Sequence, residues 1–385
     1  MANVLTNLIP HAYAALDVVS RELTGLIPAV TLDARASMAA QNQTIYVPVV
    51  PESNALENAT PAMSIPAAAD QTIGSAGITI SNLKVAPFSW SGEEEYAMDQ
   101  GAGIATIQTN QIAQAMRRIV NAVEADLAAL QSTFSRAAGT AATTPFATTT
   151  EGASLARKIL VDNGAPTSDM QLVLDTMAGA KLRTLYGVQV GRGDVPLQQQ
   201  GVLINAAGMD IRESGQIGTS TAGAMASATT TSAAFTVGQT VLPLATAGTG
   251  VVAAGDVITL ANDTNQYVVT SVSFAGANPA SGDSITIAAP GLRKAQGAAT
   301  RAITVVAAAA RNMAFSRSAI VLATRIPKRP KIGDMALDVF NITDPNSGLT
   351  FEISAYPGTR MVRYEVALAW GVKNIKQEHT SLLLG

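Results

Sequence analysis

A chain of 385 residues exceeds what one hydrophobic core usually organises, so two or three domains are expected. Its 48% hydrophobic content excludes wholesale disorder, while charged residues at 14%, against a usual share of about 25%, suggest a surface partly covered by other subunits. The net charge of −3 argues against a nucleic-acid reader, and the absence of cysteine excludes thiolate catalysis, thiolate-held zinc and a disulfide scaffold.

Met1 to Ser20 lacks a basic leader region and carries Asp17 within its apolar stretch, so no signal peptide is expected. No window reaches the ~20 apolar residues of a membrane span. Pro10 opens a predicted short helix to about Leu23, with Tyr13, Leu16, Val19 and Leu23 on one side, that serves as an arm. Gln43 to Val50 alternates as a strand, with Pro48 marking an edge or bend. Gly77 to Pro87 alternates again, and the Pro/Ala/Asn-rich excursion between them predicts an extended two-stranded loop. Glu93, Glu94 and Glu95 then stand where carboxylates favour a helix start. Three consecutive carboxylates point to different faces, which disfavours a metal site.

Ile104 to Ala138 is the longest periodic segment. Ile112, Met116, Ile119, Val123, Leu127, Leu130 and Phe134 recur at steps of three or four, predicting an amphipathic helix roughly 50 Å long. Such a rod needs cover along its whole apolar edge, which points to an extended subunit. Of Arg117 and Arg118, one is expected to face outward and pair with an acidic group.

Gly139 to Thr149 reads as a connector. Thr148 and Glu151 have capping-box spacing before a helix through Leu155, Ile159 and Leu160, closed by Asn163-Gly164. Met170 to Leu174 is a short strand, and Asp175 caps a helix containing Met177, Leu182 and Leu185. A loop from Gly187 to Gly201 and strands near Leu203 and Ile211 complete a small α/β unit. Residues 223–304 then turn all-β: a candidate strand at Val237 to Leu244 precedes DVITLAN, QYVVTSVSF and DSITIAA, separated by turn signals. The tail returns to AIVLATRI, DMALDVFNI, LTFEISAY and RMVRYEVALAWGV, the last two forming a hairpin through Pro357-Gly358.

No catalytic constellation emerges, and no catalytic, cofactor or metal residue is assigned. The two histidines, His11 and His379, stand near the chain ends, so relays that need a histidine base beside a nucleophile are disfavoured. Gly248 to Ala253 matches G-x-G-x-x-A but leads to Gly255-Asp256 rather than into a helix, and is read as a loop. Arg192-Gly193-Asp194 is a surface turn, Asp338 and Asp344 lack a supporting cluster, and Lys328, Arg329 and Lys331 form a solvated or subunit-contacting loop.

Several of these pieces, taken in order, resemble the coat proteins of phage P-twenty-two and its relatives. They are QTIYVPVVPES (Gln43 to Ser53), the long helix, AAGMDIRES (Ala206 to Ser214) leading into TSTAG, GDVITLAN…SITIAAPGL, NMAFSRSAIVLATRIP (Asn312 to Pro327) and EVALAWGVKN (Glu365 to Asn374). The resemblance implies an α+β chain with the Hong Kong 97-type major capsid fold and an inserted all-β domain. It divides the chain into an N-terminal arm (1–41), an E-loop (42–91) and a peripheral domain with its spine helix (92–164). An axial domain (165–222 and 305–345) is interrupted by the insert (223–304), and C-terminal strands (346–385) rejoin the peripheral domain. It further implies copies of the same chain as partners in pentamers and hexamers, a scaffolding protein and a portal. Non-specific contact with packaged double-stranded DNA and a decoration protein complete the partners; no membrane, no cofactor and no enzymatic activity are implied. The expected location is the virion, assembled in the host cytoplasm. One departure is that Leu244 to Gly255 carries no charge, so an acidic capsomer-contacting loop is not expected in the insert. The alternative is a surface-binding β module on a helical stem, as in a virion decoration or fibre protein.

Overall fold

The computed structural model describes residues 25–33, 40–49, 73–99, 104–188, 205–246, 248–276, 278–331, 333–344 and 347–385. Strands predominate over helices. In chain order β1 (Thr31–Asp33), β2 (Thr44–Val49), β3 (Gly74–Thr79) and β4 (Asn82–Ser91) precede α1 (Gly92–Asp99) and the long α2 (Ile104–Ala129). Then come β5 (Arg136–Ala138), α3 (Glu151–Asp162), β6 (Met170–Leu174), α4 (Thr176–Val188) and β7 (Asp210–Glu213). The β-rich middle holds β8 (Thr219–Ser220), β9 (Thr229–Thr230), β10 (Val241–Thr246), β11 (Val257–Leu260), β12 (Gln266–Ser273), β13 (Ser284–Ile287) and β14 (Ile303–Val305). Six strands close the chain: β15 (Ala309–Ser316), β16 (Ile320–Arg325), β17 (Asp338–Thr343), β18 (Thr350–Gly358), β19 (Met361–Asn374) and β20 (Thr380–Leu384).

A six-stranded sheet is built around β19, whose 14 residues serve three neighbours. β16 and β18 pair end to end along one edge of β19, and β4 runs antiparallel along the other from Met361↔Ser91 to Trp370↔Asn82. β17 extends the sheet beyond β18, and β1 joins β16 in parallel. The apolar stripe of α2 explains why the helix lies on this sheet. Ile112, Met116, Ile119, Val123 and Leu127 are buried in one core with Ile353, Tyr364, Val366, Leu368 and Trp370. A shorter ribbon, β2 with β3, stands outside this sheet. Its base packs through Ile45, Ile78 and Ile80 on Val321, Ala323 and Ala369. Gly371 allows that approach, since a Cβ there would lie 2.1 Å from the Thr79 carbonyl oxygen.

The second sheet has twelve strands, with the path β7-β6-β15-β20-β5-β12-β13-β10-β9. At one end α3 and α4 cover β6 and β20 through Ala156, Leu160, Leu182 and Leu383. At the other end a separate core is drawn wholly from the segment Met225 to Ile303, including Phe235, Leu244, Ile258, Tyr267 and Ile285. Main-chain pairing crosses between the two parts at Gln266↔Ala137 and Tyr267↔Arg136.

Several expectations need correction. The long helix ends at Ala129, because Leu130–Thr133 tightens into a 3-10 turn and Arg136–Ala138 becomes a strand between β12 and β20. Phe134 is buried as expected, but from an extended segment that reaches Phe315 edge-on. The Gly77–Pro87 strand breaks at Ile80–Ser81; only its first part joins β2, and the rest enters the six-stranded sheet. The acidic triplet opens a short helix of its own, with Ser91 and Glu94 as reciprocal caps. Thr148 caps nothing: Thr150 occupies the cap position of α3 without a side-chain bond, and Leu155 faces solvent. Asp175 caps α4 as expected, accepting from the amides of Met177 and Ala178, with Leu182 buried and Met177 exposed. The tail hairpin turns at Thr359–Arg360, with Pro357 and Gly358 still paired in the strand. A final strand that the sequence reading did not name, β20, pairs with β15 and β5 in the twelve-stranded sheet. The helix expected over 10–23, His11, the strand near Leu203 and the Arg192-Gly193-Asp194 tripeptide lie outside the described residues.

Candidate functional site

The features that stand out are surfaces and joints around α2, not a chemical centre. Among the described residues no group of three or more His, Cys, Asp or Glu side chains has the spacing of a metal site. His379 is buried in a 3-10 turn, where burial and the neighbouring Lys376 hold its pKa below the usual imidazole value. Gly248 and Gly250 of the dinucleotide-like motif serve the β segment: a Cβ would meet the carbonyl oxygens of Ala226 at 2.5 Å and Ala224 at 2.3 Å. Gly250 also adopts φ +72, a region that favours glycine. Asp344 accepts from the Ser347 hydroxyl and amide in a turn. Arg329, from the basic cluster, is engaged within the chain by Asp334 and Glu352. Among the described residues no helix is long and apolar enough to cross a membrane.

Both tryptophans of the protein pin α2 to the sheet. The Trp90 indole on β4 donates to Gln111, and the Trp370 indole on β19 donates to Asp126 Oδ2 at 2.7 Å. Asp126 Oδ2 also accepts from Asn82 Nδ2 at 2.8 Å, at the start of β4. The helix is therefore fixed in register at two points fifteen residues apart, about 22 Å along its axis. Arg117 and Arg118 both face outward, where one was expected to, and line a groove between α2 and β4 with Lys84, Val85 and Phe88.

Glu124 is a buried carboxylate that the sequence reading did not single out. It follows Val123 and sits one turn after Val120 and three residues before Leu127, which places a carboxylate on the buried side of the helix. It is 1% exposed and accepts from the amides of Leu26 (3.0 Å) and Ile27 (2.8 Å) and from the Ser214 hydroxyl (2.7 Å). Burial raises its pKa above the ordinary carboxylate value, against the opposing pull of these donors. Three distant segments thereby meet: the chain entering at Gly25, the long helix, and the stretch after β7. Gly25 is required there, because a Cβ would lie 2.2 Å from the Glu213 carbonyl oxygen.

The edges complete the picture. Among the described residues no strand pairs with the outer edge of the ten-residue β4, or with either outer edge of the β2–β3 ribbon. Tyr46 on the ribbon and Ile73 just before its second strand are 64% and 65% exposed. Long bare strand edges beside exposed apolar side chains are places where another chain pairs.

No family model matches this chain, and no curated protein does. Its fold is similar to several solved structures of phage or virus-like particles. A structure titled Mycobacterium phage Che8 matches at a TM-score of 0.49 with 11% identity, covering 94% of this chain and 92% of that one. The capsid of the cyanophage P-SCSP1u matches at 0.49 with 12% identity, covering 94% and 88%. A virus-like particle from Pyrococcus furiosus matches at 0.41 with 9% identity, covering 96% of each chain.

Proposed function

We propose that this chain is the major capsid protein of a bacteriophage head, a subunit of Hong Kong 97 type. Residues 1–41 are its arm, 42–91 its E-loop, 92–164 a peripheral domain, 165–222 with 305–345 an axial domain, 223–304 an insert and 346–385 the returning strands. The observation that carries this reading is the ten-residue edge of β4, unpaired among the described residues, followed back along the chain by the separate β2–β3 ribbon. A monomer gains nothing from such an edge and risks disordered association. A shell of identical copies uses it, because heterologous contacts between unlike patches close into rings of five or six. The low charged content and the stiffness of the tryptophan-pinned helix suit a plate that must keep its shape among neighbours. In this reading the chain acts by assembly, with a scaffolding protein and a portal as partners and packaged double-stranded DNA on the inner side.

The test is co-expression with the cognate scaffolding protein, followed by negative-stain microscopy of the purified product. Closed shells of uniform diameter are expected. A monodisperse small oligomer under all conditions counts against a capsid role. The decoration or fibre alternative is separated by removing about 224–303: it expects binding to vanish and the remainder to be dispensable.

A further inference from the structure

The hairpin end of the six-stranded sheet carries exposed patches of opposite charge on its two flanks. On the β17 flank, residues 327–331 and 333–337 are tied together by hydrogen bonds. The Asp334 carboxylate accepts from Arg329 Nη1 (3.0 and 3.1 Å), the Ala336 amide (3.0 Å) and the Tyr356 hydroxyl (3.0 Å). Arg329 Nη2 donates in turn to the buried Glu352 at 3.0 Å. This frame holds Met335 78% exposed and Leu337 50% exposed, beside the exposed Lys328 and Lys331. On the β4 flank, α1 is fixed by its Ser91–Glu94 caps and by the Gly92 amide donating to Arg360. It presents an exposed Glu93, a half-buried Glu95 and a 66% exposed Tyr96. Glu93, Glu95, Lys328 and Lys331 form no ion pair among the described residues. β19 and β18 lie between the flanks, so three strand spacings, about 14 Å, separate β4 from β17.

We propose that the two flanks are the halves of one heterologous contact between copies of this chain. Lys328 and Lys331 of one copy face Glu93 and Glu95 of the next, and Met335 and Leu337 pack on Tyr96. The inference rests on the capsid reading and names one of its interfaces. Charge complementarity selects a second copy as occupant, since Lys328 and Lys331 on one flank match Glu93 and Glu95 on the other, where Arg360 is the nearby cation. A phosphate backbone would use the two lysines but leave Met335 and Leu337 uncovered. Both patches are already ordered by hydrogen bonds, which lowers the entropy lost on docking. After a contact forms, one copy keeps its acidic flank free and the other its basic flank, so the contact propagates from copy to copy.

The test exchanges the charges. K328E/K331E and E93K/E95K, each folded by circular dichroism, are expected to lower the yield of sedimenting particles about tenfold or more, because like charges then face each other. The chain carrying all four substitutions is expected to recover to within about twofold of the original, since every contact is complementary again. Because the natural chain has no cysteine, Y96C and M335C chains mixed and oxidised report the contact separately, as a disulfide-linked dimer on a non-reducing gel. Particle yields unaffected by either double exchange, a folded quadruple variant that fails to recover, or particles without the Y96C–M335C dimer each overturn the inference. A dimer formed where the natural chain yields no particles supports this contact while defeating the shell reading. Neither dimer nor particles overturns both.

Discussion

Glu124 shows how one side chain joins parts of the chain about ninety or more positions apart. Its carboxylate is the acceptor for two buried amides and a hydroxyl, so E124A leaves three donors without a partner. A loss of about 2–4 kcal/mol is expected in urea unfolding. E124Q behaves differently, because its amide oxygen still accepts from Leu26 and Ile27 and its amino group can donate to Ser214. The sign of the pH dependence follows from the raised folded pKa. A folded state that holds its proton more tightly than the unfolded chain is favoured most below the ordinary carboxylate value of 4.5, and this contribution is lost as pH rises through the folded value. E124Q is therefore expected to flatten stability against pH across that window and to match or exceed the parent above it. Stability curves for the two proteins that fall in parallel from pH 4 upward would refute the assignment. The apolar stripe did not include position 124, and its partners at Leu26 and Ser214 were not legible either, because nothing local specifies which distant amides approach.

At the scale of the element, the entry segment depends on close approach as much as on hydrogen bonds. Leu26, Ile27, Ala29 and Val30 are buried, Arg317 donates to the Pro28 carbonyl, and β1 continues beside β16. G25A pushes a methyl group into the Glu213 carbonyl, and the backbone must shift away from Glu124. It is expected to cost about 1–3 kcal/mol and to open the 25–33 segment to limited proteolysis, with cleavage appearing there before anywhere else. Retention of the parental cleavage pattern would mean that the segment absorbs the methyl group without leaving its seat. Helix and strand types were largely readable from period, as α2, α3, β6 and the tail strands attest. Ends were less so: Leu130 continues the apolar spacing of α2, yet tertiary pairing of Arg136–Ala138 with β12 and β20 takes that stretch out of the helix. The break at Ile80–Ser81 was likewise invisible, since both halves alternate alike.

For the molecule as a whole, the segment 223–304 has its own core yet is not hung on the rest by its two chain crossings alone. Arg136 reaches Asn265 at 3.0 Å, Arg311 donates to the Gly255 carbonyl beside Asp256, and Arg293 donates to the Asp162 carbonyl at 2.9 Å. Removing 224–303 strips β5 of its β12 neighbour and leaves Arg136 and Arg311, both largely buried, short of acceptors. The remainder is expected to melt at a clearly lower temperature than the intact chain, by calorimetry, in keeping with the cost of orphaning buried charged donors, about 1–3 kcal/mol each. An unchanged melting temperature would show that the segment is an independent appendage.

The sequence by itself determined that the chain has a long stiff helix with one apolar edge, a β-only segment between two mixed α/β stretches, little surface charge and no thiol chemistry. These are properties of composition and of spacing along the chain, which local physics sets. Only the tertiary structure decided that both tryptophans hold the helix, that Glu124 ties its buried side to the entering chain, and that no strand among the described residues pairs with the outer edge of β4. It also sent β20 away from β19 into the other sheet. Such choices depend on which distant segments meet, and that is fixed by close packing and by the need of each buried polar group for a partner, neither of which leaves a periodic mark on the sequence.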